Sequence, residues 1–146
     1  MEISCPVSSE RINENVVRLI ALMVAIIGFY SLLFADFYAI IFLPIDFAIR
    51  AFTSGKLSPL KFIGLKLFKL TSLPTKLTDL APKKFAATLG FVFCLVIGVF
   101  YLFSQVYIAL GLTIVLLLFA ILESVFAVCV GCYVYSFWQS ISKNKQ

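Results

Sequence analysis

The sequence predicts an all-α integral membrane protein with four transmembrane helices, arranged as two hairpins joined by a cytoplasmic, interfacial amphipathic helix. Of its 146 residues, 62% are hydrophobic and only 13% are charged, and the mean hydropathy is +1.09. A water-soluble domain of this size could not expose so much apolar surface. A spanning segment must satisfy its own backbone polar groups, and apolar runs without two-residue alternation indicate helices rather than a barrel.

Four apolar runs define the predicted spans, and each approaches the roughly 20 residues that cross a ~30 Å hydrocarbon core. They cover residues 16–34, 37–52, 85–103 and about 106–128. The turns inside the two hairpins, Ala35-Asp36 and Ser104-Gln105, are too short to hold a soluble domain. We therefore expect a single membrane domain over residues 1–146.

The cations predict the orientation of this bundle. All twelve Lys and Arg residues lie at one end of it, and neither short turn carries one. By the positive-inside rule, both termini and the central connection face the cytoplasm. Polar residues precede the first run and no small-residue cleavage site follows it, so we expect a retained anchor rather than a signal peptide. The net charge of +5 follows the lipid boundary, which favours anionic lipid as the partner over nucleic acid.

The central connection is predicted to contain a helix at about residues 58–70. Ser58 supplies a capping hydroxyl, and Pro59 suits the first helical position. Its lysines share one arc while apolar side chains cover most of the rest, and Ser72 and Pro74 end the pattern. We expect this helix to lie flat among the lipid head groups.

Charged side chains inside a span need a partner or a wet cavity. Asp46 and Arg50 are four residues apart on the second run, so they share a helical face and can pair. Counting ~1.5 Å per residue from the short turns puts Arg18 and Glu123 at one depth, which predicts a pair between the first and fourth spans. Such pairs either hold the bundle together or handle protons or a polar substrate, and the residues leave both open.

Three of the four cysteines, Cys5, Cys129 and Cys132, lie at the cytoplasmic end. The CxxC spacing allows a disulfide or shared metal ligation, and a reducing cytoplasm favours reversible chemistry over a permanent disulfide. Pro6 suits a first helical position, so the helix dipole would favour a thiolate at Cys5. We expect the CxxC on the last turns of the fourth span or just outside the bilayer, and at the C-terminal end of a helix the dipole opposes a thiolate.

That placement separates the CxxC from thioredoxin-type sites, in which the motif opens a helix. The thiolates would then need help from Arg18, Arg50 or nearby lysines, or a helix break at Gly131. Cys94 falls near the midplane, where a buried thiol is expected to pack. The chain has no His, so a zinc site would need an acidic fourth ligand or a second subunit. We assign no metal and no cofactor.

Four segments carry a distinctive combination of motifs: CPVS at residues 5–8, ERINEN at 10–15, APKKFA at 81–86 and CVGC at 129–132. Together they resemble an uncharacterised family of small bacterial four-helix membrane proteins, a domain of unknown function. The resemblance covers nearly the whole chain. It implies the same architecture in the bacterial inner membrane, a joint role for Cys5 and the CxxC, and a soluble thioredoxin-like or sulfurtransferase partner.

Three functions fit these residues. In the first, Cys129 and Cys132 exchange with a soluble partner, Cys5 attacks or resolves, and Arg18, Arg50 and Glu123 tune the acidity of the thiols; the reaction is thiol-disulfide exchange or persulfide transfer.

In the second, Asp46, Arg50 and Glu123 line a polar path in a transporter or assembly factor with incidental cysteines, and a homodimer encloses that path. In the third, the chain is a structural or interaction protein that presents its lysine-rich helix to lipids or to a partner. Whether it is an enzyme stays open.

Overall fold

The computed structural model describes residues 11–34, 37–53 and 56–145. This part of the chain is almost entirely helical, which confirms the all-α prediction, and a short two-stranded ribbon is the exception. The elements in chain order are β1 (Arg11–Asn13), α1 (Glu14–Phe34), α2 (Phe37–Phe52), α3 (Pro59–Thr71), β2 (Leu77–Asp79), α4 (Leu80–Leu102), α5 (Val106–Phe126) and α6 (Val130–Asn144).

Within the described residues, three helices are long and apolar enough to cross a membrane, namely α1, α4 and α5. This is consistent with a membrane protein. The fourth apolar run forms α2, which has 16 residues and is shorter than the roughly 20 that a span needs. Pro44 lies inside α2 without ending it. The insertion of α2 as a fourth span stays a prediction.

Four helices pack as a ring, in which α1 contacts α5, α5 contacts α4, α4 contacts α2 and α2 contacts α1. The remaining two helices lie outside this ring, α3 against α1 and α6 against α4. Small residues allow the close approaches, as at Gly90, where an added Cβ would lie 2.7 Å from the Phe47 ring. The enclosed core is apolar and includes Ile20, Val24, Leu43, Ala87, Ile97, Leu116 and Ala120.

The ribbon ties the start of α1 to the segment between α3 and α4. Its strands are antiparallel, with Ile12 opposite Thr78. Asn13 Oδ1 accepts the backbone N–H of Lys76 at 3.4 Å, and Glu14 pairs with Lys76 Nζ at 3.0 Å. Two strands of three residues carry no periodic signal, so the sequence did not predict them. The residues of the ERINEN segment from position 11 onward thus have a structural role.

The predicted helix of the central connection is present as α3. Ser58 caps it, because its Oγ accepts a first-turn backbone N–H at 3.2 Å, and Pro59 is its first residue. Ser72 ends it in a left-handed conformation with φ 51°. Gly64 packs on α1, where an added Cβ would lie 3.0 Å from Ile20. The location of α3 among lipid head groups stays a prediction.

Candidate functional site

A buried ion pair lies on α2. Arg50 Nε is 2.9 Å from Asp46 Oδ2, and the two side chains are 16% and 0% exposed. The pairing predicted from the four-residue spacing is confirmed. No hydrogen bond accompanies this contact, while the guanidinium carbon lies 4.5 Å from the centre of the Phe47 ring. The interaction is therefore mainly one of charge with charge, supported by the aromatic face.

The second oxygen of Asp46 holds the start of α3. Ser58 Oγ donates to Asp46 Oδ1 at 2.6 Å, and the backbone N–H of Leu60 donates to the same oxygen at 3.4 Å. A carboxylate is favourable here because the N-terminal end of a helix is positive. Asp46 therefore joins α2 to α3, a contact that spacing along the chain could not reveal. A role for it in handling protons or substrate stays a prediction.

Glu123 and Arg18 do not form the predicted pair. Glu123 Oε1 instead accepts Lys83 Nζ at 2.9 Å, from the first turn of α4. Arg18 donates to two backbone carbonyls at the end of α5, those of Ser124 at 3.0 Å and Val125 at 3.1 Å. The final carbonyls of a helix lack partners within it and attract a cation. Arg18 thus reaches the end of α5 but bonds to the backbone there and not to Glu123.

The CxxC opens helix α6 rather than ending α5. The backbone turns left-handed at Ala127, with φ 55°, directly after α5 ends at Phe126. Cys129 is then the N-cap of α6, and its Sγ accepts the N–H of Cys132 at 3.3 Å. Of the two predicted positions, the one on the last turns of the fourth span is wrong, because the helix ends before the motif. The dipole at this helix end favours a thiolate instead of opposing it.

Cys129 and Cys132 form a disulfide, with their Cα atoms 5.2 Å apart. Cys129 is buried, at 6% exposed, whereas Cys132 is half-buried. Gly131 lets the motif pack closely on α4, because a Cβ added at Gly131 would lie 2.6 Å from the Cβ of Ala86. Cys5 lies outside the described residues, so its nearness to this pair stays a prediction.

A cavity of about 120 Å³ lies between helices α1, α2, α4 and α5 and the start of α6. Its polar wall includes three of the predicted site residues, Arg50, Glu123 and Cys129, from α2, from α5 and from the cap of α6. The rest of the wall is mostly apolar and includes Phe47, Leu89, Phe93, Leu116, Phe119 and Ala120. The fold therefore brings a cation, a carboxylate and one cysteine of the CxxC to one cavity.

Cys94 carries a free thiol and is 5% exposed in the core, which agrees with the packing role expected of it. No group of three or more Cys, Asp or Glu side chains in residues 11–34, 37–53 and 56–145 is arranged to hold a metal ion.

No curated protein and no solved structure matches this chain. A family model described as Domain of unknown function (DUF4395) matches residues 12–140. The match covers most of the chain, from the β1 strand through the CxxC and most of α6. It agrees with the resemblance drawn from the sequence motifs, and the chain therefore belongs to the DUF4395 family.

Proposed function

We propose that this protein exchanges disulfides with a soluble dithiol partner through its CxxC, at the cytoplasmic boundary of a bacterial inner membrane. One observation carries the proposal: the CxxC caps the start of α6, with the Cys132 N–H donating to Cys129 Sγ at 3.3 Å. Backbone N–H groups and the positive helix end stabilise a thiolate at such a position. A stabilised thiolate is a good leaving group, which speeds attack on the sulfur bonded to it.

The difference in exposure between the two cysteines assigns their roles. A thiolate of the partner attacks the sulfur of Cys132, the more exposed residue of the two, and forms a mixed disulfide while Cys129 leaves as a thiolate. The second thiolate of the partner then attacks the partner's own sulfur in that mixed disulfide and releases Cys132. Two electrons and two protons pass in total from the partner dithiol to the CxxC. Cys5 would be a further thiol able to attack or resolve the mixed disulfide.

The membrane placement has four spans, with α2 as the short one. Arg50 near the end of α2 and Val17 near the start of α1 line the same cavity. This supports an α2 that runs back alongside α1 and crosses most of the same membrane thickness. The Lys and Arg residues at that end favour the cytoplasm for both termini. Helix α6 has no buried residue and exposes Tyr133, Phe137 and Trp138, which suits a helix lying in the interface.

The contacts of the charged residues favour exchange over a polar path. The carboxylate of Asp46 is occupied by Arg50 and the start of α3, and Glu123 is occupied by Lys83. The disulfide between Cys129 and Cys132 likewise favours thiol-disulfide exchange over persulfide transfer. In persulfide transfer a single cysteine carries the extra sulfur atom and needs no second cysteine beside it.

The test uses the full chain in lipid nanodiscs, equilibrated in glutathione buffers of graded potential and scored by the gel shift of a maleimide polymer. We expect a reversible two-electron transition that disappears in Cys129→Ser and in Cys132→Ser and persists in the control Cys94→Ser. Because Cys129 is buried and Cys132 is more exposed, Cys132 in Cys129→Ser should react with an aromatic disulfide faster than Cys129 does in Cys132→Ser, although the helix end favours the Cys129 thiolate. An irreversible shift, or faster reaction of Cys129, would contradict the proposal. Cys5→Ser tests the third thiol separately.

A further inference from the structure

We infer that the cavity lined by Arg50, Glu123 and Cys129 binds a membrane quinone, which reoxidises the CxxC dithiol. The inference rests on the proposed thiol exchange: a dithiol that has taken two electrons from a partner needs an acceptor before it can act again. A quinone is an apolar two-electron acceptor that dissolves in the bilayer. The cavity has three features that suit such a ligand, namely a cysteine of the CxxC in its wall, an apolar space and a donor for a carbonyl oxygen.

The first feature is the cysteine in the wall. Cys129 lines the cavity, together with Val130 and Gly131, and Cys132 does not. The two cysteines therefore face different surroundings, since Cys132 is the more exposed and Cys129 borders the interior. This division suits a relay in which the partner reacts at one sulfur and the acceptor at the other.

The apolar space is bordered by three aromatic rings, those of Phe47, Phe93 and Phe119. Aromatic side chains favour a flat ring against their faces and edges. The surrounding helices include the three that are long and apolar enough to cross a membrane, so a ligand can enter from lipid. Apolar walls with a few polar groups are typical of sites for small cofactors.

The donor is Arg50. Its Nη2 atom is buried and has no hydrogen-bond partner among the residues that the structure describes, although its Nε lies beside Asp46. A guanidinium offers five N–H donors and accepts nothing, so a ligand at this wall should present an acceptor. A quinone carbonyl oxygen is such an acceptor, and the positive charge stabilises that oxygen as it gains electron density.

The reaction balances as one disulfide formed for each quinone reduced. The Cys129 thiolate adds to a ring carbon and forms a C–S bond. The Cys132 thiolate attacks the Cys129 sulfur, the S–S bond forms, and the electron pair of the breaking C–S bond passes to the ring. The two ring oxygens take up two protons, the number that the thiols released, and a hydroquinone leaves.

The first arm of the test measures turnover without oxygen. Fully reduced protein in nanodiscs is mixed with a benzoquinone that carries one isoprenoid unit, and thiol loss and hydroquinone absorbance are followed together. We expect one hydroquinone per disulfide in the wild type. Ala120→Leu, which fills the cavity, should slow this reaction at least tenfold and leave exchange with an aromatic disulfide unchanged. Arg50→Lys, which removes the guanidinium donors, should likewise slow quinone reduction at least tenfold. Leu118→Phe, on the exposed side of α5, is the matched control and should behave like the wild type.

The second arm measures binding without thiol chemistry. The double variant Cys129→Ser/Cys132→Ser should bind the same quinone, and an azido derivative should label peptides that contain Phe93 or Phe119. If a cavity variant fails to fold, labelling of the wild type still shows whether the quinone binds in this cavity. Normal thiol exchange without quinone binding or oxidation would overturn the quinone site and leave the proposed function standing. Loss of thiol exchange with quinone binding retained would overturn the proposed function and leave the quinone-binding site standing. Equal competition by a saturated fatty acid would also overturn the assignment to a quinone.

Discussion

Truncating Asp46 to alanine should destabilise this fold by about 3–5 kcal/mol, the range for removing one partner of a buried ion pair. Asp46 is completely buried in the structure and Arg50 nearly so, hence the change leaves an uncompensated cation inside the helix ring. Ser58 and the Leu60 N–H lose their shared acceptor as well. An orphaned buried donor costs about 1–3 kcal/mol by itself, but costs within one network do not add.

The assay is reversible unfolding in mixed detergent micelles with increasing dodecyl sulfate, followed by helical circular dichroism. Asp46→Asn keeps an acceptor for Ser58 and loses the charge, so it should fall between Asp46→Ala and the wild type. Asp46→Ala combined with Arg50→Met removes both charges and should recover much of the lost stability, because an apolar replacement of a buried pair is often neutral or stabilising.

The matched control is the exposed pair of Glu14 and Lys76. Because the Lys76 side chain is 70% exposed, Lys76→Ala should cost no more than about 1 kcal/mol. If Asp46→Ala costs no more than that control, or if adding Arg50→Met lowers stability further, the buried carboxylate does not hold α2 and α3 together.

Two further changes test the break that places the CxxC. Gly131→Val should push α6 away from Ala86, because a Cβ there would lie 2.6 Å from that side chain. It should therefore raise maleimide labelling of reduced Cys129 several-fold. The control Gly98→Val, where a Cβ meets open space, should leave labelling unchanged, and equal labelling in both variants would refute the contact. Ala127→Gly should stabilise the protein by about 1 kcal/mol in the same unfolding assay, because the left-handed conformation with φ 55° strains alanine but not glycine. A loss of stability would contradict that conformation.

Much of the helical framework is determined by residues close together in the chain. Ser58 and Pro59 start α3 where the capping pattern predicted, and Asp46 meets Arg50 because four residues make about one helical turn. The break at Ala127 could not be predicted in this way, because neither glycine nor proline marks it. Gly131, four residues further along the chain, lies close against Ala86 of α4, a contact between distant parts of the chain.

The residues alone establish four apolar helical runs, a cationic end and a cysteine pair, since hydrophobicity and spacing act over one or two helical turns. Only the folded bundle decides that Glu123 meets Lys83 and not Arg18, that Ser58 reaches Asp46, and that Arg50 and Cys129 border one cavity. The physical reason is geometric. Counting residues gives the height of a side chain along a helix, but the direction in which it points depends on how each helix rotates against its neighbours, which packing across the whole chain determines.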